Sequence, residues 1–555
     1  DSLPQLPVAL LYLSCSQNSL DSLPILPSTI RFIECWGNQL IDLPTLPDSL
    51  RHFNCCNNQI QIMPALPSVL TTFTCSNNQL QSLPALSDSL ISMNCSSNQL
   101  QSLPLLPNLL SYLDCSTNQL TTLPITPSSL ITLICNNNAM TSISALSTSL
   151  DFMDCSQNQL PSLPALPNSL TILNCSNNNL TSLPALSTSL FKLISSNNSS
   201  LVNLPLLPNS LAILYCDNDG LQGLPTLPNS LIDLNCSSNP IGNLPTLPSS
   251  LNILDCHSDL LPTLPTLPNS LTTLDCNNNQ LPILPTLPNA LYSLNCAGNL
   301  LAVLPSLPNS LSRLICSSNS IVNLPSLPLS MNYLICSNNQ IVSLPTLPNT
   351  LNYFDCSNND IHCFDPFNNI SYYFNISNNP YSCLPNYIPV MDLTTLNYPL
   401  CAAGNPFNCP SSFGIVGFAY TDNNTNCLKD SGDVGMKNVP MKIYDSSSNL
   451  LSSTYTALNG VYQFLDSANT YNVMVDTVGM PFQAACIYPG LDSTVTVAVL
   501  DTNINFALTC KPGFDIGIQS IYTCGIVFPG QTHVLSLNAG DISRRYDLNC
   551  AAGIG

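Results

Sequence analysis

The amino-acid sequence predicts a mainly β protein, in which a solenoid of short parallel strands and polyproline-like return legs is followed by β-sandwich domains. Two observations carry this prediction. A pattern of 20 residues, with one leucine-rich strand and one Leu-Pro leg, recurs along residues 1–380, and such a period is typical of repeat architectures. From residue 411 onward, runs of alternating apolar and polar residues replace the pattern, as expected for sandwich strands.

The repeat reads L-x-x-L-x-C-S-x-N-x-L and then x-x-L-P-x-L-P-x-S, and we count nineteen copies. Cysteine fills its position seventeen times, and Ser195 and Ile376 fill it in the other two copies. The turn position holds asparagine in every copy except two, which have Asp219 and Asp259. A single extra residue near 199–200 shifts the frame once.

Elementary geometry explains the pattern. Side chains alternate along a strand, so Leu13 and Cys15 are expected to point inward and Ser14 outward. The asparagine turns the chain and can bond backbone groups inside the coil. Proline fixes φ and donates no hydrogen bond, which suits an extended return leg.

This pattern resembles the leucine-rich repeat. The phrase L-P-A-L-P-N-S at 163–169 resembles its short bacterial class, which is known from type III secreted effectors such as the YopM and IpaH-like proteins. The resemblance covers about 380 residues. It implies a solenoid in which the outward strand positions form one continuous concave face for a partner.

The 27 cysteines fall into two groups. The seventeen in the repeat are expected to be free and to act as small hydrophobic residues of the core. Parallel side chains in register point the same way, so bridges between neighbouring repeats would strain the sheet. The other ten predict disulfides in an oxidising compartment, for example between Cys401 and Cys409. Their connectivity stays open at the level of the sequence.

Beyond the repeats, we predict a cap and linker at 381–410, a β-sandwich at 411–510, and at 511–555 the start of a further β-domain that continues past the last residue. The residues from Gly417 to Gly435 and the phrase T-x-x-x-G-x-Y-x-F at 456–464 resemble the SdrD B-like, Cna B-related surface module. This resemblance implies a stalk of a bacterial surface protein. The repeats, this module and the charge-poor surface together resemble large secreted proteins of Bacteroidetes-type bacteria. That resemblance implies an extracellular or cell-surface location.

The same resemblance implies calcium, which many such modules bind. The loop at 422–433 places oxygen-bearing groups at positions 1, 3, 5, 7, 9 and 12 of an EF-like loop. The predicted ligands are Asp422, Asn424, Asn426, the carbonyl of Leu428, Asp430 and Asp433. Cys427 replaces the glycine expected at position 6, and Asp433 is shorter than the usual glutamate. A plain Asx-rich turn is the alternative.

Composition excludes several classes of function. Charged residues make up 7% of the chain, and its net charge is −20. Nucleic acids and anionic membrane surfaces are therefore not expected partners, because both require clustered Lys and Arg. No apolar run reaches the length of about 18 residues that suggests a transmembrane helix. The chain has four histidines and Glu34 as its one glutamate, without a metalloprotease or phosphate-loop motif, so we predict that it is not an enzyme.

Aromatic residues at outward strand positions are the candidate ligand contacts. One cluster contains Tyr12, Phe32, Trp36 and His52, and the other contains Tyr333, Tyr353 and Tyr373. Exposed aromatic side chains anchor protein or glycan contacts, although cross-strand stacking that only stabilises the sheet is the alternative. We therefore predict a non-enzymatic structural or adhesive protein that self-associates within a cell-surface appendage. The alternative is a monomeric adhesin or recognition module that binds protein or glycan on the concave face.

Overall fold

The computed structural model forms two compact units, Asp1–Leu311 and Ser312–Gly555. The described residues are 3–367, 370, 372–386, 388, 401, 405–409, 415–423, 425–429, 433–456, 460–464, 469–478, 480, 482–486, 490–497 and 504–510, together with the backbone of 516–523 and 535–541. Within these ranges the chain contains thirty β-strands and no helix, and hence no helix that is long and apolar enough to cross a membrane. The prediction of a mainly β fold is confirmed.

The first unit is a parallel sheet in which each repeat contributes one three-residue strand. Each of these strands lies in register with the strand of the next repeat, as Leu13 does with Ile33. Their middle residues are buried and their outer residues are half-buried or exposed, as in Tyr12–Ser14. The strands are Tyr12–Ser14 (β1), Phe32–Glu34 (β2), His52–Asn54 (β3), Thr72–Thr74 (β4), Ser92–Asn94 (β5), Tyr112–Asp114 (β6), Thr132–Ile134 (β7), Phe152–Asp154 (β8), Ile172–Asn174 (β9), Lys192–Ile194 (β10), Ile213–Tyr215 (β11), Asp233–Asn235 (β12), Ile253–Asp255 (β13), Thr273–Asp275 (β14) and Ser293–Asn295 (β15).

The second unit begins with four more strands of the same kind, paired in parallel and in register. They are Arg313–Ile315 (β16), Tyr333–Ile335 (β17), Tyr353–Asp355 (β18) and Tyr373–Asn375 (β19). Longer strands follow: Ile415–Thr421 (β20), Val434–Gly435 (β21), Pro440–Asp445 (β22), Leu450–Tyr455 (β23), Val461–Phe464 (β24), Asn469–Val475 (β25), Phe482–Ala484 (β26), Asp492–Val497 (β27), Phe506–Cys510 (β28), Ile516–Thr523 (β29) and Leu535–Asp541 (β30).

Strands β20 to β28 form two facing sheets. One has the order β21-β20-β28-β26 with β24 also paired to β20, and the other has the order β23-β22-β25-β27. Both sheets supply side chains to one apolar core, for example Phe506 from the first and Val473 from the second. Most pairings are antiparallel, whereas β20 and β28 run parallel. The sheets therefore form the predicted β-sandwich, and β29 and β30 pair as a separate antiparallel sheet.

The repeat asparagine links neighbouring repeats through its side chain. In a representative repeat, Asn78 Nδ2 donates to the carbonyl oxygens of Cys55, one repeat earlier, and Cys75. Its Oδ1 accepts the backbone N–H of Ile60 at 2.9 Å. The residue just before it, Asn77, has a φ of 53°, a left-handed conformation that asparagine tolerates better than most residues. The predicted bonding of backbone groups inside the coil is confirmed.

The cysteines also form two groups in the structure. All seventeen repeat cysteines are free and buried, and burial raises the pKa of thiols such as Cys75 and Cys175. Among the described residues outside the repeat pattern, the disulfides are Cys363–Cys409, Cys383–Cys401 and Cys427–Cys486.

The predicted pair Cys401–Cys409 is therefore wrong. The backbone N–H of Cys401 donates to the carbonyl oxygen of Leu384 at 2.9 Å, which places Cys401 beside Cys383. Asn405 then bonds both the N–H and the carbonyl oxygen of Cys409 in a turn, and this turn brings Cys409 to Cys363. The pairing follows contacts across segments rather than proximity in the sequence.

Candidate functional site

The outward residues of the repeat strands form a surface that we call the strand face. Its second aromatic cluster is a stacked column in the second unit. The rings of Tyr333 and Tyr353 lie 4.2 Å apart and those of Tyr353 and Tyr373 lie 4.5 Å apart, each pair within 16° of parallel. Arg313 covers the other face of Tyr333, with its guanidinium carbon 3.8 Å from the ring centroid. The sequence analysis did not single out Arg313. This residue has the same strand position as Tyr333, in the preceding repeat.

Stacking limits what this column can bind. Each aromatic pair contributes about 0.5–1.5 kcal/mol beyond the area it buries, and a cation over a ring contributes about 0.5–2 kcal/mol. Both faces of Tyr333 and Tyr353 are covered by their neighbours. The stacked rings therefore contribute to the stability of the sheet, and the ring faces of Tyr333 and Tyr353 are occupied by neighbouring side chains.

The first aromatic cluster is more open. Tyr12 and Phe32 have ring centroids 6.1 Å apart and Phe32 and His52 have centroids 5.8 Å apart, with the rings tilted by 35° and 31°. Tyr12 is 55% exposed and Phe32 is 42% exposed. His52 Nε2 lies 2.6 Å from Oε1 of Glu34, which orients the imidazole. These rings keep accessible apolar surface.

Trp36 is placed differently from the prediction. It lies just beyond β2 and is half-buried, and among the described residues it makes no ring contact with Tyr12, Phe32 or His52. Two cations lie beside the open cluster instead. Arg31 and Arg51 directly precede β2 and β3, both are exposed, and the Arg51 N–H donates to the Arg31 carbonyl oxygen at 2.8 Å. The sequence analysis did not identify these arginines as candidate site residues.

The predicted calcium loop is partly described. Asn424 and Asp430 lie outside the described residues, so their roles as calcium ligands stay predictions. Asp433 is buried, and its Oδ1 accepts the backbone N–H of Asn423 at 3.0 Å across the loop. Asn426 and Leu428 are exposed, and Asn426 Oδ1 accepts the Leu428 N–H. The loop therefore brings the Asp422 end and Asp433 together.

Asp422 provides the test of whether a cation fits this loop. Its Oδ2 accepts the backbone N–H of Cys427 at 2.7 Å, whereas its Oδ1 is buried and has no hydrogen-bond partner. A carboxylate oxygen without a partner is costly when buried, and hard divalent cations such as Ca²⁺ bind oxygen ligands of this kind. A cavity of about 370 Å³, lined by Asp422, Thr425, Cys427 and Thr509 among others, opens beside it. The free Oδ1 of Asp422 is thus an oxygen ligand of the type that calcium prefers.

Known proteins are similar to this chain both in its repeats and in the domain that follows them. Residues 414–509 match the model of the SdrD B-like domain. YopM from Yersinia enterocolitica WA-314 is 37% identical, with a TM-score of 0.69 over 70% of this chain and 88% of its own. YopM from Yersinia pestis is 31% identical, with a TM-score of 0.44 over 66% and 88% of the two chains.

The functional domain of InlJ from Listeria monocytogenes is also similar, at 20% identity and a TM-score of 0.42 over 78% of this chain and 86% of its own. The comparison with curated protein sequences gave no match. The similarity to YopM lies in the parallel, in-register strands of the 20-residue repeat. The similarity to the SdrD B-like domain lies in the facing sheets after residue 414. The chain belongs to the bacterial leucine-rich-repeat family that includes YopM, and its repeats are followed by an SdrD B-like domain.

Proposed function

We propose that this protein is a non-enzymatic, extracellular structural and adhesive component of a cell-surface appendage. Leucine-rich-repeat and SdrD B-like folds are usually non-enzymatic interaction modules, and leucine-rich-repeat proteins commonly bind proteins. SdrD B-like modules occur in surface-associated bacterial proteins, which supports the extracellular location. Disulfides outside the repeat pattern suit the same oxidising environment.

One observation carries the structural role. The residue between the two Leu-Pro pairs of each return leg is exposed, and we call these residues the leg row. In the first unit the leg row includes Ile25, Leu105, Ile125 and Leu206, which are 87%, 85%, 78% and 82% exposed. Alanine fills the row at several repeats between them. Leu105 and Ile125 are neighbours in the row, and adjacent exposed apolar side chains favour an interaction surface. The low content of charged residues weakens repulsion between copies. The proposed partner is a second copy.

Replacing Ile25, Leu105, Ile125 and Leu206 together with serine is expected to weaken self-association by at least about tenfold in Kd, because the apolar area that leaves water on association is lost. Sedimentation velocity across a concentration series measures the effect. Ile62→Ser serves as the control, since Ile62 is 74% exposed but lies outside the leg row. A parent protein that stays monomeric at high concentration contradicts the structural proposal.

The open cluster on the strand face favours a second function, that of an adhesin for protein or glycan. Tyr12 and Phe32 keep accessible ring surface, and Arg31 and Arg51 add positive charge to a chain of net charge −20. Tyr12→Ser with Phe32→Ser is expected to reduce adhesion to the target surface at least about fivefold, since aromatic anchors dominate binding energy. The Tyr333, Tyr353 and Tyr373→Ser variant tests the stacked column in the same adhesion assay. Adhesion unchanged in both variants contradicts binding on the strand face.

We further propose that the SdrD B-like domain binds calcium. The side chains of Asp422, Asn424, Asp430 and Asp433 would hold the ion, together with Asn426 and the Leu428 carbonyl oxygen. A bound divalent cation supplies positive charge that neutralises this acidic loop and joins its two ends. The buried, unpartnered Oδ1 of Asp422 is the observation that supports the proposal.

A further inference from the structure

The disulfide Cys427–Cys486 joins the predicted calcium loop to the sandwich. Cys427 is the sixth residue of the loop, and Cys486 lies 59 residues further along the chain, with a Cα–Cα distance of 5.8 Å. Cys486 is buried just after β26. The neighbouring Ala485 N–H donates to the carbonyl oxygen of Ala507 in β28 at 2.9 Å. The disulfide therefore ties an exposed loop to a hydrogen-bonded part of the sandwich.

The backbone of Cys427 has the conformation that EF-like loops reserve for glycine. Its φ is 61°, which lies in the left-handed region that residues with a Cβ adopt at a cost. EF-like loops place glycine at position 6 because the chain turns sharply there. This chain has cysteine at that position and adopts the same turn. The bond to Cys486 is a tertiary restraint that helps to hold Cys427 in this conformation.

The turn at Cys427 also orients the first ligand. The Cys427 N–H points back at Asp422 and donates to its Oδ2 at 2.7 Å. That bond leaves Oδ1 of Asp422 buried and without a partner. The cavity beside it is lined by Asp422, Cys427 and Cys486. The disulfide, the turn and the free carboxylate oxygen thus form one connected arrangement.

We propose that Cys427 and Cys486 are positioning residues for calcium, and that their disulfide replaces the conformational freedom of the missing glycine. The inference rests on the proposed calcium binding. With the disulfide formed, the loop is organised before the ion arrives, so less ordering opposes binding. With both thiols reduced, the left-handed turn loses its restraint and calcium affinity falls. Calcium binding by this domain is consequently tied to an oxidising compartment.

The test is a calcium titration of the full chain by isothermal calorimetry, with terbium luminescence as a second readout. The double variant Cys427→Ser, Cys486→Ser removes the bond but keeps a side chain at position 6. We expect its calcium affinity to be about tenfold lower than that of the parent. The variant Cys427→Gly, Cys486→Ser also lacks the bond but restores glycine, and its affinity is expected to return to within about threefold of the parent value.

A matched control removes a different disulfide. Cys363→Ser with Cys409→Ser deletes the bond between the segment before β19 and the turn at 405–409, and it is expected to leave calcium affinity unchanged. Parent-like affinity in the Cys427→Ser, Cys486→Ser variant overturns the positioning role. Equal weakening in the serine and glycine variants also overturns it, because the conformation at position 6 would then be irrelevant. A parent chain that binds no calcium, while its disulfide is formed, contradicts the calcium proposal itself.

Discussion

Replacing Asn78 with alanine is expected to lower the free energy of unfolding of the repeat array by about 2–4 kcal/mol. The substitution removes the Oδ1 atom that accepts the Ile60 N–H, and it removes the Nδ2 donor to the carbonyl oxygens of Cys55 and Cys75. Those carbonyl oxygens keep bonds from Asn58 and Asn98. The buried Ile60 N–H has no such second partner among the described residues, and an unpaired buried donor is costly.

Two measurements check this expectation. Urea denaturation followed by circular dichroism reports the loss of stability, and hydrogen exchange reports faster opening at the Ile60 amide. Gln79→Ala is the control on the same repeat, because the Gln79 side chain is exposed and surface substitutions usually change stability by less than about 0.5 kcal/mol. Stability equal to that of the control would show that the asparagine bonds do not hold neighbouring repeats together.

Features that recur in every repeat could be predicted from the sequence. The buried leucine and cysteine positions and the asparagine turn each occur at one fixed place in a 20-residue period, so local alternation and the period together define their environment. The structure confirms them at Phe73, Cys75 and Asn78, all of which are buried. Asn77 shows the limit of prediction from the sequence. Its left-handed φ follows from the turn, and no side-chain pattern specified this backbone conformation.

Contacts between distant segments could not be predicted in the same way. Cys427 and Cys486 are 59 residues apart, and a single sequence does not state which cysteines pair. Arg313 shares its strand position with Tyr333, yet only the folded register reveals that its guanidinium lies on the ring. The tyrosines could be placed on consecutive strands, but whether they stack or remain open depends on side-chain angles.

Two deviations from the repeat predict a pH-dependent stability. Asp219 and Asp259 stand where other repeats have asparagine, and both are buried. Asp219 Oδ1 accepts the Asn198 N–H, and its Oδ2 accepts the hydroxyl of Ser195, which itself replaces a repeat cysteine. Asp259 accepts the Asn239 N–H at 2.8 Å. Burial raises the pKa of Asp219 to about 8 and that of Asp259 to about 7, although these hydrogen bonds oppose the shift.

A carboxyl with a raised pKa in the folded state binds its proton more tightly there than in the unfolded chain, where aspartate titrates near about 3.9. Between these values the unfolded chain has lost the proton and the folded chain retains it, so the free energy of unfolding falls as the pH rises. The contribution of both groups is complete below about pH 4 and is lost progressively up to about pH 8. Above that pH, the folded state contains two buried carboxylates.

The double variant Asp219→Asn, Asp259→Asn is therefore expected to be more stable than the parent at pH 8.5 by several kcal/mol, because both folded-state pKa values are raised by several units. Asparagine keeps the acceptor oxygen for the Asn198 and Asn239 N–H groups and cannot ionise, so the advantage shrinks toward zero near pH 4. Urea denaturation at half-unit steps from pH 4 to about 8.5 measures the difference. The exposed Asp48→Asn variant controls for the change in net charge. A stability difference that does not vary with pH would mean that neither buried carboxyl titrates in this range, and the two aspartates would then act only as hydrogen-bond acceptors within the repeat interior.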